Sequence, residues 1–287
     1  MMKSLYQIQL ARPNLQRGFT LAEGIIVIVI TGILAGMAAV FIRAPVQAYF
    51  DVERRAQMTD IADGSVRRIQ RDLQAALPNS VRLAGTCNGT ASCFLEYIPI
   101  ETGGRYRADL TSTGTGTPLS FASASNQTFD IIGSAITIPA GSLWVVVYNL
   151  GISGADAYSG TVSSTDVRRA YSGASGSVAS ISFTSTARLP FESPFKRFQV
   201  VSQPITYECA AASGVLRRYS GYGFNATQAA GAPGGSSALL ASNVSSCAFS
   251  YLADATKRAG LVAMNLQITQ GGETVSIFHQ FHVSNVP

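Results

Sequence analysis

Four cysteines, two histidines and one carboxylate set in an apolar run are the residues of this chain best placed to do chemistry. Cys87, Cys93, Cys209 and Cys247 form no C-x-x-C pair, which removes the paired-knuckle spacing of a zinc site. An even count in a chain that crosses a membrane points to structural disulfides made in an oxidising compartment. Four cysteines allow three pairings, and local closure favours Cys87–Cys93 and Cys209–Cys247. His279 and His282 are three apart, which on a strand sends them to opposite faces, away from a shared metal. There is no third histidine, no G-x-S-x-G, no P-loop and no dinucleotide fingerprint. Asp60-Ile61-Ala62-Asp63-Gly64 lacks the ligand spacing of a calcium loop and falls inside a helical pattern. The expectation is a protein with no catalytic residue, no metal and no cofactor, and not an enzyme.

The carboxylate is Glu23, the only charge between Phe19 and Ile42. As a helix that apolar run spans about 36 Å at roughly 1.5 Å per residue, against a hydrocarbon core about 30 Å thick. It reads as a transmembrane helix, and no small-x-small cleavage site follows it. A carboxylate in lipid costs on the order of 2.5–3.5 kcal/mol, so it calls for a partner or an escape. Two readings stand side by side on the residues alone. Glu23 snorkels to the headgroup level, or a cut between Gly18 and Phe19 creates an amine that Glu23 of a neighbouring subunit pairs with. A carboxylate near a helix N-terminus is also favoured by the helix dipole.

The elements around this segment follow from periodicity. Ala62, Val66, Ile69, Leu73 and Ala76 recur at helical spacing and predict that the helix continues past the bilayer, with Pro45 a kink and Leu77-Pro78-Asn79 the end. Arg54, Arg55, Arg67, Arg68 and Arg71 lie mostly off that face. Asp51, Glu53, Asp60, Asp63 and Asp72 interleave with them, which makes a solvated mixed-charge face rather than a nucleic-acid stripe. The formal charge of +5 falls to +2 without residues 1–18, so no nucleic-acid partner is expected. Charged residues make up only 13% of the chain, which suits a β-rich extracytoplasmic surface better than a cytosolic enzyme. Beyond residue 78, candidate strands are 93–100, 143–150, 178–184, 198–209, 215–222, 248–252, 260–269 and 274–283. The last two form a hairpin around Gly271-Gly272, with Val262, Met264, Leu266 and Ile268 on its buried face. Residues 110–126, 151–180 and 225–237 read as Gly/Ser/Thr-rich loops. No repeat and no linker is visible after residue 78, so the fold class is α+β, one unit on a helical stem.

Gly18-Phe19-Thr20-Leu21-Ala22-Glu23 and the apolar run behind it resemble the class III signal of type IV prepilins and pseudopilins. The resemblance implies that prepilin peptidase cuts between Gly18 and Phe19 and methylates the Phe19 amine, and that Glu23 docks the subunit onto a growing filament. It also implies the type IV pilin-like fold, a long N-terminal helix packed on an antiparallel β-sheet domain. The chain then divides into a leader (1–18), a transmembrane helix (19–42), its amphipathic continuation (43–77) and an extracytoplasmic β-rich domain (78–287). The leader is longer than is common in that family, and Val40 stands where mature pilins usually carry proline.

Further likenesses lie in Phe41-Ile42-Arg43-Ala44-Pro45-Val46-Gln47-Ala48-Tyr49, in Tyr207-Glu208-Cys209, in Leu216-Arg217-Arg218 and in the ending from His279 to Pro287. Together these resemble the MshO family of the mannose-sensitive haemagglutinin (MSHA) pilus. That resemblance implies a minor pilin that assembles into, initiates or caps such a pilus. Its implied partners are other pilin subunits, the prepilin peptidase and an inner-membrane assembly platform. J-type minor pseudopilins of type II secretion share the long helix and large β domain, and a pilus-tip adhesin or DNA-binding pilin is a third reading. Lys3, Arg12 and Arg17 before the span balance Arg43, Arg54 and Arg55 after it, so the positive-inside count is a tie. The cysteines and the resemblance place the C-terminal bulk in the periplasm, anchored in the inner membrane.

Overall fold

The computed structural model describes residues 18–124, 127–252 and 259–287, so of the expected leader only Gly18 falls among the described residues. The chain divides into two compact units, Met1–Glu53 and Arg54–Pro287. Helix α1 (Leu21–Gln74) begins in the first and ends in the second, with Pro45 inside it. Beyond it run β1 (Arg82–Gly85), β2 (Ser92–Tyr97), β3 (Ile100–Tyr106), β4 (Thr128–Ile132), β5 (Ile136–Ile138), β6 (Trp144–Val146), β7 (Arg168–Tyr171), β8 (Gly176–Val178), β9 (Ser180–Thr184), β10 (Arg197–Val201), β11 (Ile205–Ala210), β12 (Val215–Ser220), β13 (Ser236–Ser242), β14 (Val244–Leu252), β15 (Ala259–Gln270) and β16 (Glu273–Ser284). This is an α+β arrangement, one long N-terminal helix with an apolar first half and antiparallel sheets, consistent with a type IV pilin-like fold.

Of the stripe read from the sequence, Ala62, Val66, Ile69 and Leu73 form the buried face of the helix, whereas Ala76 is buried beyond the helix end at Gln74, in a bridge to Pro99. Met58, Ala62, Val66, Ile69 and Leu73 are each at most 3% exposed. They pack with Leu95, Tyr207 and Leu216 of the five-stranded sheet β1-β2-β11-β12-β13, and with Val262, Met264, Leu266 and Ile268 of the sheet β14-β15-β16. Burying each large side chain of that stripe contributes about 1.5–3 kcal/mol. Between β15 and β16 the chain turns in two residues, Gly271 and Gly272, at φ 59° and 84°. Positive φ at both positions is what the hairpin turn matched to strand twist requires, and glycine adopts it without strain.

Strands β2 and β11 pair directly, with Tyr97 opposite Ile205. Residues 98–204 leave the sheet between them and return. Six of the strands in this insertion close into a barrel, β10-β3-β4-β9-β7-β6. Its interior is a second core of Tyr106, Phe129, Ile181, Phe183, Phe198 and Val200 among others, with Phe129 edge-on to Phe198 at 5.0 Å. A third, smaller cluster joins insertion to body and includes Leu77, Ile98, Tyr158 and Val201. There Tyr158 donates to the Ser80 carbonyl at 2.9 Å and lies under the Arg82 guanidinium, 3.5 Å from its ring centre. Arg82 in turn pairs with the buried Glu96 at 2.6 Å.

Several strand boundaries differ from the sequence expectation. The run 198–209 is two strands in two sheets, β10 and β11, parted by the segment holding Pro204, which has no N–H to donate to a ladder. The run 93–100 is likewise divided at Pro99 into β2 and the start of β3. The segment read as loop from 151 to 180 contains β7 and β8. In β3, burial alternates as in any half-buried strand, but Gly103 and Gly104 hide the pattern in the sequence. A Cβ on Gly103 would lie 2.9 Å from the Phe198 carbonyl oxygen, so the close approach of β10 requires glycine there.

Candidate functional site

The first turn of α1 is built by Thr20. Its carbonyl accepts from the Gly24 N–H at 3.1 Å, and its hydroxyl oxygen accepts from the Glu23 N–H at 3.3 Å. Thr20 is therefore the N-cap and Glu23 the third helical residue, the Thr-x-x-Glu arrangement of a capping box. None of the four N–H groups that open a helix has an intrahelical backbone acceptor; the Thr20 hydroxyl serves that of Glu23, and the dipole there favours a carboxylate. Gly18, Phe19 and Glu23 are thus brought together at one helix end, all exposed, with Phe19 82% exposed. Among the described residues Glu23 has no ion-pair partner.

Behind this turn the helix is apolar on every side. Its most apolar 18-residue window has a mean hydropathy of 2.9, and none of that window is buried within the chain. Ile25, Ile28, Leu34, Met37 and Phe41 are each more than half exposed. A surface of this kind is stable only in lipid or against other apolar helices. Among the described residues no side chain of the helix offers this carboxylate a counter-charge.

The remaining residues singled out from the sequence lie in the second unit. Cys87 is bonded to Cys93 and Cys209 to Cys247, with Cα separations of 4.7 and 5.4 Å. Cys93 and Cys209 stand directly opposite each other on β2 and β11, so both bridges lie side by side under the helix. His279 and His282 fall on opposite faces of β16, with His279 against Phe281 at 4.8 Å. Among the described residues no group of three metal-ligating side chains is gathered.

Sequence reading missed how the helix is latched to the sheet. Asp72, taken as part of a solvated face, accepts from Tyr207 Oη at 2.5 Å and from Arg218 Nε at 3.2 Å, and Arg68 Nε lies 3.3 Å from its other oxygen. Burial alone would raise the Asp72 carboxyl. The Tyr207 hydrogen bond and the Arg218 and Arg68 charges outweigh it and hold the group below its ordinary value. Burial and the same carboxylate push the Tyr207 phenol up. No local signal marks the latch: Asp63 stands equally beside a buried stripe residue, Ala62, and pairs with its helix neighbour Arg67 instead.

A prokaryotic N-terminal methylation motif matches residues 13–39. That motif is characteristic of type IV pilin-like proteins, a class that is structural rather than catalytic, and the matched segment covers the capped turn, Glu23 and most of the apolar helix. Neither the curated proteins nor the solved structures contain a match to the chain. The motif implies in general terms a protein that is handled by a prepilin peptidase and that associates with other pilins. With the single apolar helix, it fits a single-pass membrane-anchored pilin.

Proposed function

We propose that this chain is a minor pilin, cut between Gly18 and Phe19 and methylated at Phe19, whose Glu23 pairs with the Phe19 amine of a neighbouring subunit during filament assembly. The observation that carries the reading is Glu23 itself: exposed, held in a capped first turn, four residues from Phe19 and followed by an apolar helix that is exposed among the described residues. Residues 1–18 are then the leader and the body beyond the helix the extracytoplasmic domain. That body lies in the periplasm, and the disulfides Cys87–Cys93 and Cys209–Cys247 support an oxidising compartment. The finer assignment is to an MSHA-type pilus as a member of the MshO family, in the filament or at its tip, built on an inner-membrane platform. It is supported by the likenesses around Pro45, Cys209 and the C-terminal strand. A long helix followed by a large β body also fits a J-type pseudopilin of type II secretion, and the neighbouring genes separate the two.

The test is Glu23→Ala in the full-length protein. It should insert and lose its leader as wild type does, while surface piliation falls sharply. Normal piliation in that strain would sink the assembly role. N-terminal sequencing of the mature protein should give methyl-phenylalanine at position 19.

A further inference from the structure

Strand pairing in the barrel sets two like charges directly against each other. Arg197 of β10 stands opposite Arg105 of β3, and Gln199 stands opposite Gly103. Opposed side chains share a face of the sheet, with Cβ atoms about 5 Å apart, and like charges placed so are destabilising. Phe198 and Val200 point into the barrel core, so Arg197, Gln199, Gly103 and Arg105 lie on its outer face. Both arginines are exposed. Among the described residues neither has an ion pair or a side-chain hydrogen bond. The carboxylates of the adjoining β4 and of the loop before β10 are taken, Asp130 by Arg107 and Glu192 by Lys196. Glu101, farther along the same face of β3, pairs with neither arginine.

Beside the arginines the face is bare. Gly103 and Gly104 leave the floor without side chains, and a groove of about 340 Å³ opens there, walled by Arg105, Arg197 and Gln199. The half-buried Gln199 amide makes no hydrogen bond among the described residues. Arg197 lies over the Phe195 ring at 5.2 Å, which steadies its guanidinium at the rim. Three side chains that can donate therefore surround one empty corner of the sheet, and the strand register places all three.

We propose that this groove binds a tetrahedral oxyanion, phosphate or sulfate, held between the Arg105 and Arg197 guanidinium groups with the Gln199 amide as a third donor. A carboxylate has two oxygens, and one guanidinium fork satisfies both, which leaves the second fork without an acceptor. A phosphate group offers three strong acceptor oxygens and a charge of about −1.5 to −2 at neutral pH, enough to serve two forks and offset both charges. Binding relieves the repulsion that the strand register builds in. The groove falls within the roughly 300–1,000 Å³ of small-molecule sites, so it has room for whatever carries the phosphate or sulfate. The site lies wholly in the insertion and does not depend on cleavage at Phe19 or on Glu23.

The experiment is calorimetric titration of the full-length protein in detergent, at neutral pH and constant ionic strength. Inorganic phosphate should bind saturably, sulfate should compete with it, and acetate should do neither. Arg105→Gln or Arg197→Gln should weaken phosphate about tenfold or more, the loss of one charge-assisted contact. Arg188→Gln removes an exposed arginine of the insertion outside the groove and should leave binding unchanged. In low salt without phosphate, Arg105→Gln and Arg197→Gln should melt no lower than wild type by Trp144 fluorescence, since each relieves the opposed charges. That melt also shows the variants to be folded. Glucose 6-phosphate separates the two sources of the anion. Binding as tight as that of phosphate assigns the groove to a phosphate carried on a larger molecule, and its exclusion assigns the groove to the free ion. No saturable phosphate binding, equal binding of acetate, or equal phosphate affinity in wild type, Arg105→Gln and Arg197→Gln would each overturn the proposal.

Discussion

Replacing Arg169 by methionine tests whether the insertion is held by one buried charge. Arg169 is fully buried, on β7 opposite Val145 of β6. Its Nε donates to Ser185 Oγ at 3.0 Å, and Nη1 to the carbonyls of Asp166 and Arg168 at 2.7 and 2.9 Å. Nη2 donates to the carbonyls of Ser163 and Arg188 at 3.0 and 2.9 Å, and to Ala187 at 3.3 Å. The guanidinium thus stitches residues 163–168 to 185–188. Burial pushes its pKa down and the Asp166 charge partly offsets this; a guanidinium stays protonated in proteins, so its bonds are charge-assisted. Such bonds contribute about 1.5–3 kcal/mol each but do not add. Arg169→Met leaves its buried acceptors without a donor, at about 1–3 kcal/mol for each that stays dry, so a loss of about 3–5 kcal/mol is expected once two or more do. For a body of this size that lowers the melting midpoint by roughly 10 °C. The single tryptophan, Trp144, reports on it, since it lies on β6 beside Val145 and packs on Phe224 at 4.8 Å. Detergent-solubilised full-length protein would be melted with tryptophan fluorescence as the signal. A loss within about 0.5 kcal/mol, the range of ordinary surface changes, would refute the reasoning, because it would mean the carbonyls find water once the arginine is gone.

The Asp72 latch should make stability fall in acid. The native carboxyl binds its proton more weakly than the unfolded one, so its contribution is complete above about pH 4 and is lost as pH falls further. Asp72→Asn should flatten that acid limb, and identical wild-type and mutant profiles of melting midpoint against pH would count against the latch. Removing Cys209–Cys247, which closes 38 residues, should cost about 4 kcal/mol, against about 2 for Cys87–Cys93 across 6, as read from denaturant midpoints of the paired Cys→Ala variants. Thr20→Val should weaken the helix start by about 1 kcal/mol and speed amide exchange at Glu23 about fivefold, with unchanged exchange showing that the cap is idle.

What could be read from the sequence is what local periodicity encodes. The stripe Ala62, Val66, Ile69 and Leu73 repeats over several turns, and β15 alternates for ten residues from Gly260 to Thr269, so helix and hairpin were legible with their buried faces. Glu23 was legible because a charge in an apolar run is conspicuous by energy alone. The latch was not, because Asp72 differs from its solvated neighbours only through Tyr207 and Arg218, more than a hundred residues away in the chain.

The barrel was invisible for a related reason. Its strands are three to seven residues long, too short for alternation to show. Their pairing is mostly non-local as well: β10 bonds to both β3 and β6, and β4 to β9. The aromatic side chains that fill it share no residue with the core under the helix. Since Tyr97 and Ile205 are already opposite each other in the sheet, the fold of the body sets no length on what leaves between them. The pattern that specifies the body therefore carries no information about the insertion, and only closure of the barrel on itself reveals that the Gly- and Ser-rich middle of the chain has a core of its own.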